Sequence, residues 1–220
     1  MVTLGSKPSA GSLISGRNEA DRFLMGLLRA CADAVLLGAG TLRATPGHRW
    51  TAAHIYPDAA ADFAALRKSL GRSADPRLVL LTTGRDIDLS HPAVAEGATF
   101  VTTTAGARIL RAGLPSSCDL VEIGEHGEVD FRSAVDELRR RGHHVLLTEG
   151  GPHVMGELIR QGLLDEAFLT ISPVLAGRGK EQRLGMVAGA ELLPDNGVWT
   201  RLLSARRQGD YLFLRYRLRP

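Results

Sequence analysis

Short apolar runs alternate with longer segments of helical period along most of this chain, and that alternation constrains the fold more than any other feature. "DAVLLG" (33–38), "RLVLLTT" (77–83), "ATFVTT" (98–103), "DLVEIG" (119–124), "HVLLTE" (144–149) and "EAFLTI" (166–171) have the length and content of strands. The central ones are apolar throughout, as strands covered on both faces should be. Helices are expected at 18–31, 58–70, 104–112, 130–141 and 152–161. Several starts carry capping chemistry: Asn18 with Asp21 three residues on, Pro57 just before the second helix, and Asp130 at the fourth. Strands laid down with crossover helices make a parallel α/β body. After residue 172 the rhythm changes, and "VWTRLLSARRQGDYLFLRYRL" alternates around "QGD" as an antiparallel hairpin does.

A chain of 220 residues with 44% hydrophobic content suits a single domain over 1–220 with a full-sized core. Basic residues outnumber acidic ones by only 27 to 24, so no nucleic-acid partner is indicated. The basic run Arg139-Arg140-Arg141 precedes Gly142 and reads as a solvated helix end. Cys31 and Cys118, each in an apolar stretch, supply neither a disulfide framework nor a thiolate metal site. The seven histidines are scattered, so no metal is expected. Without a secretory leader or a long apolar span, the expectation is a cytoplasmic protein with no membrane partner.

Three strand ends carry chemistry. In "LLGAGTLRATPG", Gly38, Gly40 and Thr41 follow a strand and start a short helical segment, where free amides and close backbone approach favour phosphate. A dinucleotide fingerprint would need a third glycine where Arg43 stands, and Pro46 interrupts the long helix it requires. In "LLTTGRD", Thr83, Gly84 and Arg85 could hold a ribose phosphate or make an ordinary turn. In "LLTEGGPHVMGELI", Glu149, Gly150, Gly151 and Pro152 mark a strand-to-helix turn. Loops at the carboxyl ends of neighbouring parallel strands face one crevice, so the three could line one phosphate-rich ligand.

"LRACADAVLLGAGTLRATPG", followed by "LLTEGGPHVMGELIRQGLLDEAFLTISPVLAGRG", resembles the reductase domain of riboflavin biosynthesis, the RibD C-terminal family. The resemblance covers nearly the whole chain. It implies a dihydrofolate reductase-like mixed, mostly parallel sheet flanked by helices on both faces, NADPH across the strand ends, and a homodimer. Carried over by position, Gly38, Gly40 and Thr41 meet the cofactor's phosphates, and Thr83, Gly84 and Arg85 its adenosine end. Arg85 or Arg43 is the candidate for the 2′-phosphate, a dianion suited to a fork of donors. Gly150, Gly151, Pro152, His153 and Val154 run beside the pyrophosphate and nicotinamide.

On the substrate side the resemblance places Thr3, Arg22, Thr45 and Glu149, with Glu149 the catalytic candidate. Arg29 matches a helix-end arginine of the family. Two family acids are missing, with Gly5 in place of one and Thr45 in place of the other. The activity implied is hydride transfer from NADPH to a ribosylamino-pyrimidine or another small heterocycle. A dihydrofolate reductase-type enzyme on another heterocycle, or a paralogue that binds NADPH without catalysis, are the alternatives.

Overall fold

The computed structural model describes residues 18–175, 185–192 and 197–218. Thr3 and Gly5 lie outside the described residues. In order, the elements are α1 (Glu19–Cys31), β1 (Ala34–Gly38), α2 (Ala39–Ala44), α3 (Ala52–Ile55), a 3-10 turn (Pro57–Ala59), α4 (Ala60–Ser69), β2 (Arg77–Leu81), α5 (Pro92–Ala95) and β3 (Ala98–Thr102). They continue as α6 (Thr104–Leu110), β4 (Asp119–Glu122), α7 (Phe131–Arg140), β5 (Leu146–Thr148), α8 (Pro152–Arg160), β6 (Glu166–Ile171), β7 (Arg201–Gln208) and β8 (Tyr211–Arg217). The chain divides into two compact units, with boundaries between Asp21 and Arg22 and between Gly151 and Pro152.

The first unit, Arg22–Gly151, is a five-stranded parallel sheet in the order β4-β3-β2-β1-β5. Its central strands are buried because both faces are covered. Val35, Leu37, Leu80 and Phe100 pack on one side with Leu42, Trp50, Val94 and Leu110 from the helices and loops there. Ala34, Leu36, Val79 and Val101 pack on the other with Ala134 and Leu138 of α7. At ~25 cal/mol per Å2 of apolar surface, these two layers supply the main driving force for this unit.

Outside the sheet, α1 meets α3 and α4 through Ala30, Ala52, Ala59 and Phe63. Gly26 permits that approach, since a Cβ there would lie 2.7 Å from the Phe63 ring. Arg67, 2% exposed, donates through Nη1 to the carbonyls of Arg29, Ala30 and Ala32 at 3.1, 3.2 and 2.8 Å. It thus satisfies orphan acceptors at the end of α1.

The second unit holds α8 and an antiparallel sheet in the order β6-β8-β7. The hairpin turns at Gly209, whose φ of 56° is a left-handed conformation that glycine adopts freely. Its second strand, β8, pairs with β6, and the three form a sheet separate from the parallel one. Within this unit Gly156 sits against a neighbouring segment, for a Cβ there would fall 2.2 Å from the Ala188 carbonyl oxygen. Trp199 precedes β7 and is 91% exposed.

Candidate active site

The loops after β1, β2 and β5 meet at the carboxyl edge of the parallel sheet, because β2, β1 and β5 are neighbours in it. Gly38 precedes α2, which contains Gly40, Thr41 and Arg43. Arg43 Nη1 donates to the carbonyl of Asp86 at 2.9 Å, tying the first loop to the second. Asp86 has a positive φ of 53°, a conformation costly for a residue with a side chain. On the other side, a Cβ on Gly151 would stand 3.4 Å from Thr41 Oγ1, so the third loop runs beside the first. The end of β5 is anchored to β1, with Glu149 N donating to the Leu36 carbonyl at 3.3 Å. Gly150 N then donates to Thr148 Oγ1 at 3.2 Å.

The second loop also presses on the start of α6. Gly84 has φ 86°, and a Cβ there would meet the Gly106 carbonyl oxygen at 2.6 Å. Gly84 N donates to Thr82 Oγ1 at 3.0 Å, and Gly106 N to Thr103 Oγ1 at 3.2 Å, so two threonine hydroxyls fix the two turns. The loop after β4 joins them, since Thr104 N and Ala105 N donate to the carbonyls of Gly124 and Glu125 at 3.0 and 3.1 Å. Between them lies a cleft of about 360 Å3 lined by Thr83, Arg85, Thr103, Ala105, Ile109, His126 and Gly127. Thr103, Ala105, Ile109, His126 and Gly127 carry no phosphate-loop motif, and only the strand order reveals them.

Glu149 is held in a fork. Its two carboxylate oxygens accept from Arg29 Nε and Nη2, both at 2.7 Å. Arg29 is fully buried and also bonds His48 and the carbonyls of Arg49 and Thr51. His48 lies edge-on to Trp50 and His54, at 4.9 and 4.8 Å between ring centres. Burial first, then the charges of Arg29, His54 and His91, lower the pKa of His48 to about 4.

Thr45 turns inward, donating from Oγ1 to the Thr41 carbonyl at 2.8 Å. Arg22 donates from Nε to the Ile55 carbonyl at 3.0 Å, and its guanidinium lies over the Tyr56 ring. Pro152, His153 and Val154 open α8 in the second unit, where Ala188 N donates to the Pro152 carbonyl at 3.0 Å. Among the described residues no group of His, Cys, Asp and Glu is disposed to hold a metal ion. Nor is any helix among them long and apolar enough to cross a membrane.

A helix-covered parallel sheet with its glycine loops gathered at the carboxyl edge, followed by separate antiparallel strands, fits the dihydrofolate reductase-like class of reductases. Comparison with known families is more specific: residues 5–198 match the model of the RibD C-terminal domain, and the chain belongs to that family, the reductase family of riboflavin biosynthesis. Its fold is similar to a pyrimidine reductase-like protein from Corynebacterium diphtheriae, at TM-score 0.67 and 20% identity, over 92% of this chain and 82% of that one. It is also similar to RibD from Acinetobacter baumannii, at TM-score 0.70 and 17% identity, over 100% of this chain and 55% of that one.

A Thermotoga maritima diaminohydroxyphosphoribosylaminopyrimidine deaminase/5-amino-6-(5-phosphoribosylamino)uracil reductase matches at TM-score 0.62 and 19% identity, over 90% of this chain and 48% of that one. This chain thus spans about half the length of the Acinetobacter and Thermotoga proteins. No curated protein sequence matches it.

Proposed function

We propose that this chain is an NADPH-dependent reductase acting on a ribosylamino-pyrimidine or a closely related heterocycle. The observation that supports this most is the gathering of three glycine-bearing loops at one sheet edge, tied by Arg43 to the Asp86 carbonyl and by the approach of Gly151 to Thr41. When bound, NADPH supplies the hydride, so the protein's part is binding, orientation and exclusion of water. Gly38, Gly40 and Thr41 offer backbone and hydroxyl donors to phosphates. The cleft beside Thr83, Gly84 and Arg85 is large enough for the adenosine end of a dinucleotide. Arg85, in that cleft, is better disposed toward the 2′-phosphate than Arg43, which spends a donor on Asp86.

Gly150, Gly151, Pro152, His153 and Val154 are assigned to the pyrophosphate and nicotinamide side. Glu149 is assigned to the substrate, and so by resemblance are Thr3, Arg22 and Thr45. We also assign the family's homodimer to this chain and place its activity in the cytoplasm.

Fluorescence titration with NADPH and NADH, followed by cofactor oxidation with the ribosylamino-pyrimidine and with dihydrofolate, tests the reading. NADPH binding with turnover of the pyrimidine is expected. No binding at millimolar cofactor overturns the reading, and binding without turnover of either compound turns it into a nucleotide-binding paralogue. Gly151→Val places a branched side chain against Thr41 and is expected to weaken NADPH binding about tenfold or more. Unchanged affinity would remove that loop from the cofactor site.

A further inference from the structure

Arg85 stands between two residues with left-handed backbone, Gly84 at φ 86° and Asp86 at φ 53°. Among the described residues Asp86 is the one non-glycine residue with a positive φ. Glycine adopts that conformation freely, but in aspartate the Cβ crowds the backbone, and the segment relaxes unless something holds it. Both flanks of the loop are pinned by their own contacts. Before Arg85, Gly84 packs so close to Gly106 that a Cβ would fall 2.6 Å from the Gly106 carbonyl oxygen, and Gly84 N donates to Thr82 Oγ1 at 3.0 Å. Beyond it, the buried His91 accepts from Ala93 N on Nδ1 at 3.2 Å. The ring proton of the neutral imidazole is therefore on Nε2, which donates to the Thr45 carbonyl at 3.0 Å. The strained residue lies between these anchors, and Arg43 Nη1 donates to its carbonyl at 2.9 Å. The same guanidinium lies along the first loop, since a Cβ on Gly40 would stand 3.9 Å from Arg43 Nη2.

Resting on the reading of Arg85 as the partner of the cofactor's 2′-phosphate, we propose that Arg43 is a positioning residue for Arg85 and not itself a phosphate ligand. By holding the Asp86 carbonyl, Arg43 keeps the left-handed turn after Arg85, and that turn directs the Arg85 side chain to the cleft it lines with Thr83 and His126. Selectivity for a phosphorylated adenosine thus depends on a residue of the first loop that meets no phosphate.

The two roles differ in what repairs their loss. A missing phosphate ligand is not replaced by a change of backbone, whereas a missing brace becomes dispensable once the residue it restrains is unstrained. Glycine at position 86 removes the strain. Binding of 2′,5′-ADP and 5′-AMP to the full chain is measured by calorimetry, with NADPH and NADH binding and Tm alongside. Arg43→Met keeps the aliphatic stem and removes the donors, and is expected to reduce the preference for 2′,5′-ADP over 5′-AMP about tenfold. Adding Asp86→Gly to Arg43→Met is expected to return the preference to within about threefold of wild type. Asp86→Ala in the same background also removes the carboxylate but keeps a Cβ, and is expected to restore nothing.

An unchanged preference in Arg43→Met, an equal loss of both ligands, or a rescue by alanine as large as that by glycine overturns the proposal. So does the absence of rescue by glycine, which marks a direct phosphate ligand. If Arg43→Met does not fold, Arg43→Gln takes its place in each comparison. Arg85→Met separates the proposal from the cofactor reading. If it abolishes the preference while the Arg43 variants fail as above, the brace alone falls; a wild type that does not bind NADPH overturns both.

Discussion

At the scale of single residues, one buried arginine ties the end of β5 to the segment around His48. The resemblance singled out Glu149 as the catalytic candidate and matched Arg29 to a helix-end arginine, but it did not pair the two. Their meeting joins residues 120 positions apart, which no local pattern encodes. His48 entered the sequence reading only as one of seven scattered histidines; its contact with the Arg29 guanidinium appears only in the fold. Because His48 has a folded pKa of about 4 against an ordinary 6.5, the folded state binds fewer protons than the unfolded one between those values. Its contribution is full above pH 6.5 and is lost progressively as the pH falls from 6.5 toward 4. Denaturant unfolding at stepped pH is expected to show stability falling through that window, with a shallower slope in His48→Gln. Identical slopes would remove His48 as the source.

Among the elements, agreement is closest where a segment is long enough to show a period. The strands at 33–38, 77–83, 98–103, 119–124, 144–149 and 166–171 all form, each at its expected place and mostly one to three residues shorter. The helices behave likewise, and the Asn18 cap is realised by a bond from Asp21 N at 3.0 Å. The four-residue helices α3 and α5 were not legible, because barely one turn leaves no periodicity to detect. Nor was Arg67, whose basic position near the end of α4 reads as solvated yet closes the end of α1. Arg67→Ala strips three carbonyls of their donor and is expected to cost about 2–4 kcal/mol. Urea unfolding measures this, and a loss below about 1 kcal/mol would mean that water replaces the guanidinium.

Across the molecule, the sequence pattern indicated the parallel body and the hairpin, but not that the antiparallel strands make a sheet of their own. Strand partners are chosen by tertiary packing, so alternation alone leaves them open. In that sheet Ile171, Leu202 and Leu212 are 43, 51 and 40% exposed, and Ile171 pairs directly with Leu212. Apolar rows of this kind suit a partner surface, which accords with the homodimer assigned above. Leu212→Asp is expected to halve the mass seen by light scattering while leaving the circular dichroism spectrum unchanged. A wild-type protein that runs as a monomer, or a variant that stays dimeric, would refute the assignment of that face.

The Arg29–Glu149 fork also sets a timetable for the chain's synthesis. With 120 residues between them, and translation at roughly 5–20 residues per second, the carboxylate emerges on the order of ten seconds after the guanidinium. Until then Arg29 has no counter-ion from β5, and the β1 edge that β5 will cover lacks its neighbour. Nascent chains therefore pass through a long interval in which the interior edge of the sheet stays open to water or to chaperones. Closure waits for "LLTEGG", the segment that forms β5 and the turn after it.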